Sequence, residues 1–341
     1  MKLKHYILLV GIVFGYFVAN SQIIENSGFE NWFTQQFYDD PNGFASTNFA
    51  SYIATGEPNV LKTNDAYAGS YAVKMETVPS SEGNIAGGLF IGAIGDGYIA
   101  GGIPFDERPD SVTGYVKYDV VGIDTANIVV LFKKFGAPLG LCLIQFTGTQ
   151  EDYVYFSAPV QWLAPIVPPD SLATGISSST VFGIPEAGST ITVDNIGFVG
   201  ANASFPNYSF EDWTEYSSEE PENWFTSNFF NFSIGTSSVS KTEDSYEGDY
   251  AIKMVNTVSV WDDTLGLITN GTFGAQGPIK GMTIDSIPDK LSGYYKYEPV
   301  GPDTALARMA LYYYNETSGN AEILDDRVIK LPPASEYTYF N

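Results

Sequence analysis

The sequence predicts an all-β fold of two tandem antiparallel β-sandwich domains of the jelly-roll type. Three observations lead there. Short β-branched or aromatic runs recur between Gly, Pro, Asp and Ser clusters. No window of eleven or more residues keeps the apolar spacing of a helix. An internal duplication spans most of the chain.

The first residues are expected to be a leader. Lys2, Lys4 and His5 form a basic start, Tyr6 to Val18 is apolar, and Ala19, Asn20 and Ser21 are residues a signal peptidase accepts. Cleavage after Ser21 would leave Gln22 first and place the mature chain in a secreted or cell-surface location. No later segment rivals this apolar run, so no membrane insertion is expected after cleavage.

The strands follow. Tyr71-Ala-Val-Lys-Met75, Ile128-Val-Val-Leu-Phe132, Tyr153-Val-Tyr-Phe156 and Thr190-Ile-Thr-Val193 are strand-length runs. Several of them return about 180 residues later. Asn26-Ser-Gly-Phe-Glu-Asn-Trp32 recurs as Asn207-Tyr-Ser-Phe-Glu-Asp-Trp213, and Pro41, Phe44, Asn48 and Phe49 as Pro221, Trp224, Asn228 and Phe229. Lys62 to Met75 returns as Lys241 to Met254 with 9 of 14 positions identical, and Gly114-Tyr-Val-Lys-Tyr118 as Gly293-Tyr-Tyr-Lys-Tyr297. A unit this long carries its own core and is not a solenoid repeat. The expected division is a leader at 1–21, copy one at 22–200 and copy two at 201–341, with the boundary in the Gly, Ala, Asn, Ser and Pro cluster of 200–206. Tyr337-Thr-Tyr-Phe340 matches Tyr153 to Phe156, after which copy one continues to Val199. The second copy is therefore expected to be a fragment, without its last strands and with exposed edges.

Composition narrows the chemistry. The formal net charge is −24, from 16 basic and 40 acidic residues. Such a surface repels phosphate backbones and anionic lipids, so nucleic acid and membrane surfaces are not expected partners. The only histidine, His5, leaves with the leader, which removes Ser-His-Asp and Cys-His mechanisms and His-ligated metals. Cys142 is the only cysteine and sits among Leu141, Leu143 and Ile144, so a buried, inert thiol is expected and no intrachain disulfide can form.

Together these blocks resemble a family of secreted bacterial proteins provisionally named the carbohydrate metabolism domain. The resemblance rests on the Phe-Glu-x-Trp opening, Tyr-x-Gly-x-Tyr-Ala-x-Lys, Gly102-Ile-Pro-Phe105, Arg108-Pro109, Gly-Tyr-x-Lys-Tyr, Pro169 to Leu172, and Val193-Asp194-Asn195. Copy one carries all of them over residues 25–199. Copy two departs, with Ile287 for Arg108, Ile284 for Phe105 and no closing strand. The family is also similar to galactose-binding-like jelly-roll carbohydrate-binding modules. That similarity implies one structural Ca²⁺ between Glu30 and Asp194, with backbone oxygens near Asp65 to Gly69. Glu211 would match Glu30 in an incomplete second site. Calcium tolerates such irregular oxygen sets, and the alternative is that these carboxylates cap turns.

The residues themselves offer two places for a ligand. Sugar rings stack on flat aromatic faces bordered by polar groups. Strand alternation puts Tyr115 and Lys117 on one face, with Tyr294 and Lys296 repeating them. The alternative is a lysine snorkelling beside a half-buried tyrosine. Trp261, in an acidic loop unique to copy two, is either a ligand contact or a local hydrophobic plug. Asp39-Asp40, Glu219-Glu220 and Asp262-Asp263 are adjacent acidic pairs, and their surface reading is solvation.

Three functions compete. The first is a non-catalytic carbohydrate-binding or glycan-handling protein whose partner is a poly- or oligosaccharide. The second is a glycoside hydrolase or lyase using a carboxylate pair. The third is a structural or adhesive surface repeat.

Overall fold

The computed structural model describes residues 24–95, 98–180, 183–274, 277–279, 281–315 and 320–341. The expected leader lies outside the described residues. In chain order the first half contributes β1 (Trp32–Pro41), helix α1 (Asn48–Thr55), β2 (Val60–Thr63), β3 (Ala72–Glu76) and β4 (Gly88–Ile91). It continues with β5 (Ser111–Asp119), β6 (Ala126–Lys134), β7 (Ala137–Phe146), β8 (Thr149–Pro159), β9 (Ser171–Ser177) and β10 (Thr190–Val199).

These strands form two antiparallel sheets. One runs β7-β6-β9-β4 with short strands on its flanks, and the other runs β8-β5-β10-β3-β2. The chain crosses between sheets repeatedly, as in a jelly roll. Alternation supplies the core: Val112 and Val116, Ile191 and Val193, and Val73 and Met75 point inward from one sheet. They meet Ile128, Val130, Phe132, Leu172, Ile176 and Leu89 from the other. Cys142 is buried in the same core, where burial pushes its thiol up to about 11 and keeps it protonated.

The α1 helix begins at Asn48, one of the repeated residues. Its buried side chain accepts from the amides of Asn59 and Val60 and donates to the Val60 carbonyl, bolting the helix to the start of β2. Asn228 does the same with Ser238 and Val239 in the second half. A buried amide with every bond made explains why asparagine recurs here.

The second half contributes β11 (Trp213–Pro221), β12 (Val239–Thr242), β13 (Ala251–Met254), β14 (Gly293–Tyr297), β15 (Ala305–Asn315), β16 (Asn320–Leu331) and β17 (Ala334–Phe340). Its registers repeat those of the first. Val239↔Met254 matches Val60↔Met75, and Tyr294↔Tyr339 matches Tyr115↔Tyr155. In the first half β10 lies between β5 and β3. Among the described residues no strand joins β14 to β13.

The halves meet through a reciprocal exchange. β1 pairs antiparallel with β11, from Trp32↔Pro221 to Pro41↔Trp213. Phe205 and Phe210, which precede β11, are buried in the core of the first half, with Ala203 and Trp213 packed against it. Phe29, the repeat partner of Phe210, instead contacts Trp224 of the second half, with ring centroids 5.2 Å apart. An aromatic cluster of Phe37, Tyr38 and Phe232 fills the space between halves, and Phe37 stacks on Phe232 at 3.8 Å.

Candidate functional site

Tyr115 and Lys117 lie on the outer face of the β8-β5-β10-β3-β2 sheet, opposite the core-facing Val116. The loop between β2 and β3 folds over this face. Tyr67, at its tip, stacks on Tyr115 with centroids 3.4 Å apart, and Tyr155 meets Tyr115 edge-on at 5.5 Å. Tyr67 remains 46% exposed and Tyr155 57%, so the cluster is partly open to solvent.

Lys117 does not project beside the rings. Its ammonium pairs with Asp65 in the loop and lies 5.1 Å from the Tyr153 ring centroid. The Tyr153 hydroxyl donates to the Asp65 carbonyl at 2.6 Å. Lysine and Tyr153 together hold the loop down. Burial, with the nearby charges of Asp194 and Asp65, pushes the Tyr153 phenol up, so it stays a donor.

The second half repeats the arrangement. Tyr246 stacks on Tyr294 at 3.6 Å and Tyr339 meets Tyr294 at 5.4 Å. Lys296 bonds both oxygens of Asp244, and the Tyr337 hydroxyl donates to the Asp244 carbonyl. Hydrogen bonding to Tyr246 raises the Tyr294 phenol, as Tyr67 raises that of Tyr115.

The structure separates Glu30 from Asp194. Asp194 is buried beneath the first loop and accepts from the amides of Tyr67 and Ala68 at 2.9 and 3.0 Å, and from Asn195. Its companion there is Glu211, whose carboxylate accepts from the amides of Ser70 and Tyr71 at 2.9 to 3.2 Å. Burial first, and the Glu211 charge last, push the Asp194 carboxyl up against the pull of the amide bonds. Glu30 sits in the other half, on the amides of Asp249 and Tyr250 at 3.1 and 3.3 Å. Among the described residues no group of three or more His, Cys, Asp or Glu side chains forms a metal cluster. A Ca²⁺ beside Asp194 would therefore have two carboxylates, Asp194 and Glu211, and would need carbonyl or water oxygens for the rest of its six to eight ligands.

Trp261 contacts Phe230 at 5.4 Å and Phe49 at 6.2 Å, so it packs against aromatics of both halves while remaining 52% exposed. Trp32 and Trp213 flank the lysines of the opposite half, Lys241 and Lys62, at 5.8 Å.

Tyr67, Tyr153 and Tyr155 were not singled out as ligand contacts from the sequence, and Asp65 was named only for its backbone oxygen. A signal was present. Tyr67 recurs as Tyr246, two residues before a repeated glycine, in a turn where no core position explains an aromatic.

No family model matches the chain, and no curated protein matches it. Among solved structures, the chain is similar to a protein of Bacteroides thetaiotaomicron provisionally assigned as a glycoside hydrolase. Identity is 16%, covering 52% of this chain and 71% of that one, with a TM-score of 0.41. It is similar to a Bacteroides vulgatus protein with the same provisional assignment at 18% identity, over 51% and 97%, with a TM-score of 0.40. A family 11 carbohydrate-binding module from Clostridium thermocellum, solved with a β-1,3-1,4-mixed-linked tetrasaccharide, matches at 11% identity over 52% and 94%, with a TM-score of 0.27. Overlap at this level transfers no property of those proteins to this chain.

Proposed function

We propose that this is a secreted or cell-surface carbohydrate-binding protein that holds a poly- or oligosaccharide on two matched tyrosine platforms without cleaving it. The observation that carries the reading is the repetition of an exposed stack, Tyr67 on Tyr115 and Tyr246 on Tyr294, each with its loop tied down by a lysine, an aspartate and a tyrosine hydroxyl. Exposed aromatic rings that are ordered before binding present a flat apolar face at little entropic cost, which suits the C–H face of a sugar. The carboxylates beside the first platform, Asp194 and Glu211, are occupied by backbone donors, which favours binding over acid–base chemistry.

Two weak sites on one chain gain by avidity on a polymer. Tyr67→Ala with Tyr115→Ala, or Tyr246→Ala with Tyr294→Ala, is expected to weaken retention on a responsive polysaccharide by roughly 10- to 100-fold. Affinity electrophoresis across a polysaccharide panel measures this. Retention that survives all four substitutions would overturn the reading, and new reducing ends during incubation would assign a hydrolase.

Calcium belongs to the same proposal, at Asp194 and Glu211, where it would have to share the carboxylate oxygens with the backbone amides that donate to them. Thermal melts with Ca²⁺ and with EDTA check it. Calcium is expected to raise the wild-type midpoint and to leave Glu211→Gln unmoved, whereas an equal rise in both would rule this site out.

A further inference from the structure

Besides the lysine and tyrosine-hydroxyl ties within its own repeat, each loop that carries Tyr67 or Tyr246 receives a carboxylate from the other repeat. Glu211 belongs by sequence to the second repeat but binds the Ser70 and Tyr71 amides of the first. Glu30 belongs to the first and binds the Asp249 and Tyr250 amides of the second. Both glutamates ride on the same preformed hook. Asn26 and Phe29 have φ of 49° and 57°, and Asn207 and Phe210 have 45° and 52°. Trp32 Nε1 donates to the Phe29 carbonyl and Trp213 Nε1 to the Phe210 carbonyl, both at 2.6 Å.

The seats match as well. Gly69 and Gly248 have φ of +78° and +81°, and a Cβ on either would overlap the arriving glutamate, Glu211 on Gly69 and Glu30 on Gly248. Glycine in the Tyr-x-Gly motif is thus needed twice, for the turn and for the approach of a carboxylate from the opposite repeat.

We propose that Glu30 and Glu211 are positioning residues that order each tyrosine platform from the opposite repeat, so that neither platform is complete without the other half. The dependence is unequal. The first loop is also held by Asp194, through the Tyr67 and Ala68 amides. Among the described residues the second loop shows Glu30 as its only carboxylate on backbone amides. The Tyr246 platform therefore depends on Glu30 more than the Tyr67 platform depends on Glu211.

This deepens the binding reading and rests on it for its biological use, but loop order is measured without any sugar, so the two can fail separately. Amide exchange of the full chain is followed by mass spectrometry. Glu30→Gln is expected to speed exchange at residues 249–250 by at least about 10-fold, corresponding to about 1.4 kcal/mol, with residues 70–71 unchanged. Glu211→Gln is expected to speed 70–71 by a smaller factor, with 249–250 unchanged. The near-ultraviolet dichroism of the stacked rings gives a second measurement. Glu30→Gln should alter it in a Tyr67→Ala background and leave it unaltered in a Tyr246→Ala background. Should a Gln variant fail to fold, Glu30→Asp and Glu211→Asp keep the charge but withdraw the carboxylate, and the same crossed pattern is expected. An effect of either substitution on the loop of its own repeat, or on neither loop, would overturn the proposal.

Discussion

Phe210→Ala is expected to destabilise the first half by about 3–5 kcal/mol, although Phe210 lies in the second half of the sequence. The side chain is 0% exposed, belongs to the core of the first half and meets Phe44 at 5.5 Å. Removing a ring from so enclosed a place loses transfer free energy and leaves a cavity that the strands around it cannot close. Phe29→Ala is the matched control. Phe29 is only half-buried, against Trp224, and its loss is expected to cost about 1 kcal/mol. Urea denaturation followed by tryptophan fluorescence measures both, with the m-value checking that the unfolding unit is unchanged. A cost below about 1 kcal/mol for Phe210→Ala would mean that the exchanged segment does not fill this core.

The exchange also changes what a useful boundary is. A chain ending at Gly200 keeps every strand of the two first-half sheets but lacks Phe205 and Phe210 in the core, Trp213 beside Lys62 and Glu211 beneath the tyrosine loop. The full chain is the proper object for binding measurements, since both hooks are then available to both seats.

Much of this was legible in the sequence for identifiable reasons. Alternation put Tyr115 and Lys117 on one face, and the cost of burying an unpaired lysine made that the wetter face; both lie opposite the core-facing Val116. The repeated block at Lys62 and Lys241 was legible as a duplication, and it folds in both halves as a hairpin of the same register with a positive-φ glycine in its turn. The exchange was not legible. The two hooks are alike in sequence and conformation, so the sequence cannot say which seat each one fills. Pairing Glu30 with Asp194 assumed a repeat closed on itself, whereas the short segment from Gly200 to Pro206 delivers Phe210 and Glu211 to the first half. The part played by Lys117 was hidden for a related reason. Its partner, Asp65, sits in a loop whose path over the sheet is set by contacts distant in sequence.

The second large effect concerns Asp124, whose role depends on the stretch between β9 and β10. Asp124 is 3% exposed and accepts five hydrogen bonds, from the amides of Thr125, Thr180 and Glu186 and the hydroxyls of Ser179 and Ser189. Burial alone would push its carboxyl up, but the bonds from Ser179, Thr180, Thr125 and Glu186 outweigh burial and hold it below the usual carboxylate range. Asp124→Asn turns one acceptor oxygen into a donor facing donors and is expected to cost about 3 kcal/mol. Asp303, its repeat partner, is exposed and accepts from Asn256 and Thr304, so Asp303→Asn should cost less than about 0.5 kcal/mol. The two limbs of the pH profile have opposite causes. Asp124, with a lowered folded value, adds stability that is present above the unfolded value of about 4 and is lost as pH falls through its folded value. Asp40, Asp194 and Glu220 are pushed up chiefly by burial. Their contribution is present below the unfolded value and lost as pH rises through their folded values. Melting temperature is therefore expected to rise as pH falls through the raised folded values of Asp40, Asp194 and Glu220 and to fall below about pH 4, with the fall reduced in Asp124→Asn. A melting temperature that drops steadily from neutrality would show that the three buried carboxyls are not raised, and an acid limb identical in Asp124→Asn would remove Asp124 as its cause.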